Sequence, residues 1–178
     1  MKIRIKRKLN EGKGADIIAR GLSRNLLSDM VKKILNKFGG LEQIMTEEGT
    51  LLSAVELAIG MELDNKEALK SNATAFSGFA KEYEQKKEAI IAKRVQDAEA
   101  VAYKKVQEYI DYELERNPGM TWDEILYGPM GGGPYYYVIL QQGEQLVKKA
   151  KEEPTDMVDE QIEKLYKASK LFLDASRE

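Results

Sequence analysis

The chain has 178 residues, 43% of them apolar and 33% charged, and contains neither cysteine nor histidine. This balance is too apolar for a wholly disordered chain and sufficient for one domain with its own core. The missing residue types exclude disulfides, thiolate nucleophiles, iron–sulfur clusters, a Ser-His-Asp triad, zinc sites with a His ligand and di-iron bundles built on Glu-x-x-His. What survives is carboxylate, Lys or Tyr chemistry, or Mg²⁺ and Ca²⁺ held by oxygen ligands. A non-enzymatic protein without a cofactor is therefore expected.

Charge is unevenly spread. Residues 1–13 carry Lys2, Arg4, Lys6, Arg7, Lys8 and Lys13 against Glu11 alone, a net of +5 on a chain that totals −2. Ile3 and Ile5 alternate with the bases, a period of two that suggests an extended strand or a tail that becomes extended on binding. Glu11-Gly12-Lys13-Gly14 reads as a hinge. Residues 1–14 are thus a basic arm, and residues 15–178 are expected to form a single helical domain. No stretch approaches the ~18 apolar residues needed to span a bilayer, and no apolar region follows the basic start. A cytoplasmic protein with no membrane partner is expected.

From Asp16 the apolar residues recur at three and four. Ile17, Ile18, Leu22, Leu26, Leu27, Met30, Val31, Ile34, Leu35 and Phe38 predict one amphipathic helix, ended by Gly39-Gly40. Leu41 to Met45 adds a short helical turn, and a further segment follows Gly49 with Leu51, Leu52, Val55, Leu57, Ala58 and Ile59. Asp64 is the expected N-cap of the next helix, with Glu67 three residues on. Ser71-Asn72-Ala73-Thr74 and Gly78 are weak points in it. From Lys81 to Arg116 nothing interrupts the pattern. Tyr83, Ile90, Ile91, Val95, Ala98, Ala102, Val106, Tyr109 and Leu114 form one stripe, until Asn117-Pro118-Gly119 stops it.

Thr121-Trp122-Asp123-Glu124 is a capping box that opens a short helix to about Tyr127. Residues 128–134, Gly-Pro-Met-Gly-Gly-Gly-Pro, predict a loop. Tyr135 to Leu140 reads as either a buried strand or a helix. Pro134 and the stripe Tyr136, Ile139, Leu140, Gly143, Leu146, Val147, Ala150 favour helix, to about Glu152. A last helix runs from Thr155 with Met157, Val158, Ile162, Leu165, Tyr166, Ser169, Phe172 and Leu173 on one side. At 1.5 Å per residue the Lys81–Arg116 helix is about 54 Å long, against roughly 40 Å for a compact globule of this size. That predicts an elongated all-α domain, or packing against another subunit. Neither stripe is long or pure enough to predict a coiled coil.

Three features are candidate sites. The six cations of the arm, Lys2, Arg4, Lys6, Arg7, Lys8 and Lys13, could neutralise nucleic-acid phosphates, without base stacking because no aromatic lies among them. The competing reading is an edge strand kept soluble by its charges. The glycine-rich 128–134 loop lacks the Lys-Ser/Thr of a P-loop and the spacing of a dinucleotide site, so a connector is the simpler reading. Its flanking Trp122, Tyr127, Tyr135, Tyr136 and Tyr137 could form an aromatic interaction patch, or simply core. The acid clusters Glu47-Glu48, Asp111/Glu113/Glu115 and Glu152-Glu153 show no calcium-loop pattern and read as solvated helix faces. No metal site is expected.

The opening eleven residues, MKIRIKRKLNE, resemble the start of uncharacterised small proteins of marine tailed phages. The resemblance implies a virion or assembly component and brings no catalytic residues with it. The expectation is an all-α interaction or assembly protein that works as a homo-oligomer or with a protein partner. The alternative is a nucleic-acid-binding accessory protein acting through the arm.

Overall fold

The computed structural model describes residues 23–46, 49–127 and 134–178, with the side chains of 134 and 135 excepted. The basic arm and most of the 128–134 loop lie outside the described residues. Within them every regular element is an α-helix. The helices are α1 (Asp29–Lys37), α2 (Leu41–Thr46), α3 (Thr50–Glu62), α4 (Lys66–Arg116), α5 (Trp122–Tyr127), α6 (Pro134–Glu152) and α7 (Asp156–Ala175). The all-α class expected from periodicity is what the chain adopts. Tyr135–Leu140 belongs to a helix, with Pro134 at its start.

The boundaries correct the sequence reading in two places. The helix expected across Asp16–Phe38 does not run through its described part. Residues 23–26 are helical, the chain then breaks, and α1 starts afresh after Ser28, whose backbone is extended at φ −63°, ψ 157°. Ser28 acts as N-cap, its Oγ accepting the Val31 N–H at 3.2 Å. Serine prefers this role to a helix interior because its oxygen satisfies an otherwise orphaned amide. The second correction concerns α4, which is capped by Asn65 rather than Asp64: the Ala68 N–H donates to Asn65 Oδ1 at 3.0 Å.

Other ends follow the expected chemistry. At the close of α1, Gly39 and Gly40 both take positive φ. The Gly40 N–H donates to the Leu35 carbonyl at 2.8 Å and the Gly39 N–H to that of Asn36 at 3.2 Å, the paired bonds of a Schellman motif. The capping box before α5 is closed in both directions. The Thr121 N–H donates to Glu124 Oε2 at 2.8 Å, and the Glu124 N–H donates to Thr121 Oγ1 at 3.3 Å. The Glu124 carboxylate accepts from the Thr121 backbone N–H and also, at 2.9 Å, from its hydroxyl, and these two bonds, the backbone one first, hold the Glu124 carboxyl below its ordinary range.

Helix α4 is 51 residues long, roughly 76 Å at the standard rise. It passes without a break through both of its weak points. Gly78 has a tertiary reason to be small, since a Cβ there would collide with the Ser23 side chain. The described residues divide into two compact units. One unit comprises the described chain up to Lys87 together with Asp156–Glu178; the other is Glu88–Thr155.

The first unit holds a continuous core. Val31, Ile34 and Leu35 of α1, Ile44 and Met45 of α2, and Leu51, Ala54, Val55 and Ala58 of α3 bury against Leu69, Ala73, Phe76, Phe79, Ala80 and Tyr83 of α4 and Leu165, Ala168 and Phe172 of α7. The α4 and α7 members recur at three and four residues, which keeps them on one face of each helix. Phe76 is central: its ring stacks on Phe172 at 5.5 Å and meets Phe79 edge-on at 5.8 Å. One polar side chain, Asn72, is 0% exposed within this unit. Its Oδ1 accepts the Ser28 N–H at 2.8 Å, and its Nδ2 donates to Ser28 Oγ at 3.1 Å and to Glu62 Oε2 at 2.8 Å. A buried amide is tolerated here because its donors and acceptor are all used. It ties the start of α1 and the end of α3 to the first turns of α4.

Candidate functional site

The second unit contains the C-terminal half of α4, with α5 and α6. Helix α6 approaches α4 closely through Gly143, which is buried; a Cβ on it would lie 3.0 Å from the Ala102 Cβ. Small residues at a crossing let helix backbones draw together, but they bring little apolar area to bury. Between residues 88 and 116 of α4 only Ile110 is fully buried, and among the described side chains of α5 and α6 the buried apolar ones are Ile125 and Ile139.

Tyrosines gather around this thin seam. The rings of Tyr109 and Tyr136 stack at 6.0 Å, and Tyr137 lies 6.0 Å from Tyr136 at a tilted angle. Burial pushes the Tyr136 phenol above its ordinary value of 10.0, and the nearby phenols of Tyr127, Tyr137 and Tyr109 push it in the same direction. Tyr109 is likewise raised, by burial first and the Glu113 carboxylate second. One turn further along α4, Tyr112 stands beneath the Arg116 guanidinium at 5.3 Å and accepts a 3.1 Å hydrogen bond from its Nη1. Such a pair holds the charged plane against the ring.

Beside these rings is an open cleft of about 710 Å³, bordered by Tyr109, Tyr112 and Ile139 and by the charges Lys105, Glu108, Glu113 and Arg116. Glu108 and Glu113 do not form an acid–base pair by virtue of sharing this border. Five residues apart on one helix, their side chains leave the axis about 140° from each other. A smaller cleft of about 340 Å³ lies in the first unit, beside Met45, Met157 and Glu160.

The proposed aromatic patch is thus partly assembled. Tyr127, Tyr136 and Tyr137 are neighbours, while Trp122 stands exposed at the start of α5, and among the described residues no ring contact joins it to them. The Tyr135 side chain lies outside the described residues, as do Lys2, Arg4, Lys6, Arg7, Lys8 and Lys13. Sequence reasoning placed Tyr109 in a core stripe and passed over Tyr112. The spacing Tyr109–Tyr112–Arg116, at three and four, was the available signal. Of the acid clusters, Glu152 pairs with Lys148 at 3.9 Å and Glu153 with Arg94 at 3.5 Å, ordinary surface pairs. Glu47 and Glu48 are outside the described residues. No group of three or more acidic side chains among the described residues is placed to hold a metal ion, and no described helix is long and apolar enough to cross a membrane. The chain matches no known family model, no curated protein and no solved structure.

Proposed function

We propose that this chain is a non-enzymatic helical interaction or assembly protein that acts as an oligomer. The observation that carries the reading is the imbalance of the second unit. Its described residues bury few apolar side chains while leaving Val101, Tyr103, Tyr112, Trp122, Tyr127, Tyr137, Val138 and Leu140 exposed. Small units with thin cores gain little from folding alone, and aromatic residues grouped on a surface are typical of protein contacts. The N-terminal resemblance suggests one setting, the assembly of a tailed-phage particle. Light scattering over a range of concentrations tests the reading: an oligomer is expected, and a monomer throughout would overturn it.

A second reading rests on the +5 charge of residues 1–13. On that reading the arm binds nucleic acid through phosphate contacts, without sequence preference and with a steep loss of affinity as salt rises. Deleting residues 1–13 should then abolish binding, and unchanged binding after the deletion would exclude the arm.

A further inference from the structure

The C-terminal half of α4 carries an exposed apolar stripe whose Tyr112 end borders the open cleft beside α6. Ile90, Val101 and Tyr112 are separated by eleven residues each. Eleven residues make three helical turns to within about 20°, so the three side chains line one nearly straight stripe. All three are exposed, at 37%, 50% and 53% respectively. Between them on the same face stand Arg94, Asp97, Lys105 and Glu108, placed symmetrically about Val101. Ile90 and Tyr112 are each eleven residues from it, Arg94 and Glu108 each seven, and Asp97 and Lys105 each four.

That arrangement is self-complementary. Let a second copy of the stripe lie antiparallel, with a two-fold axis passing at Val101. Residues equidistant from Val101 then face each other. Val101 meets Val101 of the second copy, Ile90 meets Tyr112, Arg94 meets Glu108, and Asp97 meets Lys105. Every charged layer joins opposite signs, and each occurs twice because the contact is isologous. A parallel pairing in register would instead place Arg94 on Arg94 and Asp97 on Asp97. The charges therefore select direction as well as register, as flanking charges do between paired helices. Among the described residues neither Asp97 nor Lys105 forms an ion pair within the chain. Arg94 is shared with Glu153, and Glu108 has a 3.7 Å contact with Lys104.

We propose that the Ile90–Val101–Tyr112 stripe of α4 is a homodimer interface, covered by the same stripe of a second copy running antiparallel about an axis at Val101. This rests on the assembly reading above and specifies its partner and geometry.

The native chain has no cysteine, so a single engineered one reports its own neighbourhood. Val101→Cys in the full chain should form a disulfide-linked dimer under mild oxidation. Gln96→Cys, exposed and about 140° round the helix, should not. Charge reversal gives an independent arm. Asp97→Lys and Lys105→Asp should each weaken self-association by about tenfold, since each replaces two attractions by two repulsions. An equimolar mixture of the two variants should form the heterodimer, and the double variant D97K/K105D should recover the homodimer. Circular dichroism of each variant confirms that the helices persist. Equal cross-linking at 96 and 101, or self-association indifferent to both reversals, would overturn the interface while leaving the assembly reading in place. A native chain that is monomeric at every concentration would overturn both.

Discussion

The two compact units use one helix in opposite ways. In the first, α4 presents Leu69, Ala73, Phe76, Phe79, Ala80 and Tyr83 to four other helices, and all six are buried. In the second, the same helix buries only Ile110 between residues 88 and 116 and meets α6 across alanine and glycine. The first half is a core element enclosed by its own chain. The second is a continuous helix with one narrow seam and much apolar surface left over. Helix continuity and helix burial are therefore separate properties. Propensity and i,i+4 pairs such as Lys104–Glu108 suit the exposed half to helix, whereas packing fixes the buried half.

The comparison can be broken most forcefully at Phe76. Phe76→Ala removes the ring between Phe172 and Phe79 and should cost about 3–5 kcal/mol in denaturant unfolding. Amide exchange in the first unit should quicken far more than in residues 88–155. An equal effect in both units would mean that they unfold as one. Asn72→Ala comes next. It leaves the Ser28 N–H and Glu62 without their buried partner, with an expected loss of about 1–3 kcal/mol. Amide exchange should rise first around Ser28 and the end of α3, and protection unchanged at Ser28 would show that the cap stands without Asn72.

The smallest effect sharpens the contrast from the other side. The phenols of Tyr109 and Tyr136 are raised above 10.0, so the folded chain favours their neutral forms. Between 10.0 and the raised values the unfolded chain binds fewer protons than the folded one, so stability falls as pH rises. Stability contributed by these groups should be whole below about pH 10 and decline above it. Tyr83, buried in the first unit, is raised in the same direction by burial, then Glu42 and Glu82. Melting curves from pH 8 to 11 should show the decline, and Tyr136→Phe should flatten the part belonging to the second unit. A profile level to pH 11 would contradict the phenol cluster.

Much of the fold was legible because its signals are local. Thr121 and Glu124 closed the capping box that their spacing announced, Gly39-Gly40 ended α1, and Pro134 opened the helix that its stripe favoured over a strand. What failed was also local in appearance and tertiary in cause. The stripe across Leu26, Leu27 and Met30 is continuous in sequence, yet Ser28 turns the chain there, because Asn72, forty-four residues away, completes the cap. Gly78 looked like a weakness and is a point of close approach to Ser23. The tyrosine cluster was half visible. Tyr127, Tyr136 and Tyr137 are near one another in sequence, but Tyr109 reaches them only because α6 folds back along α4.

The sequence by itself determined the helical class, the caps and the order of the elements, because helix periodicity and end chemistry are written within a few residues of each other. It also determined the spacing of Ile90, Val101 and Tyr112 and the alternation of charge between them. Only the tertiary structure decided which face of each helix is spent on the core and which remains exposed. That choice depends on contacts between residues far apart in the chain: Phe76 on Phe172, Asn72 on Ser28, Ala102 on Gly143. An apolar stripe has the same pattern whether it is buried or bare.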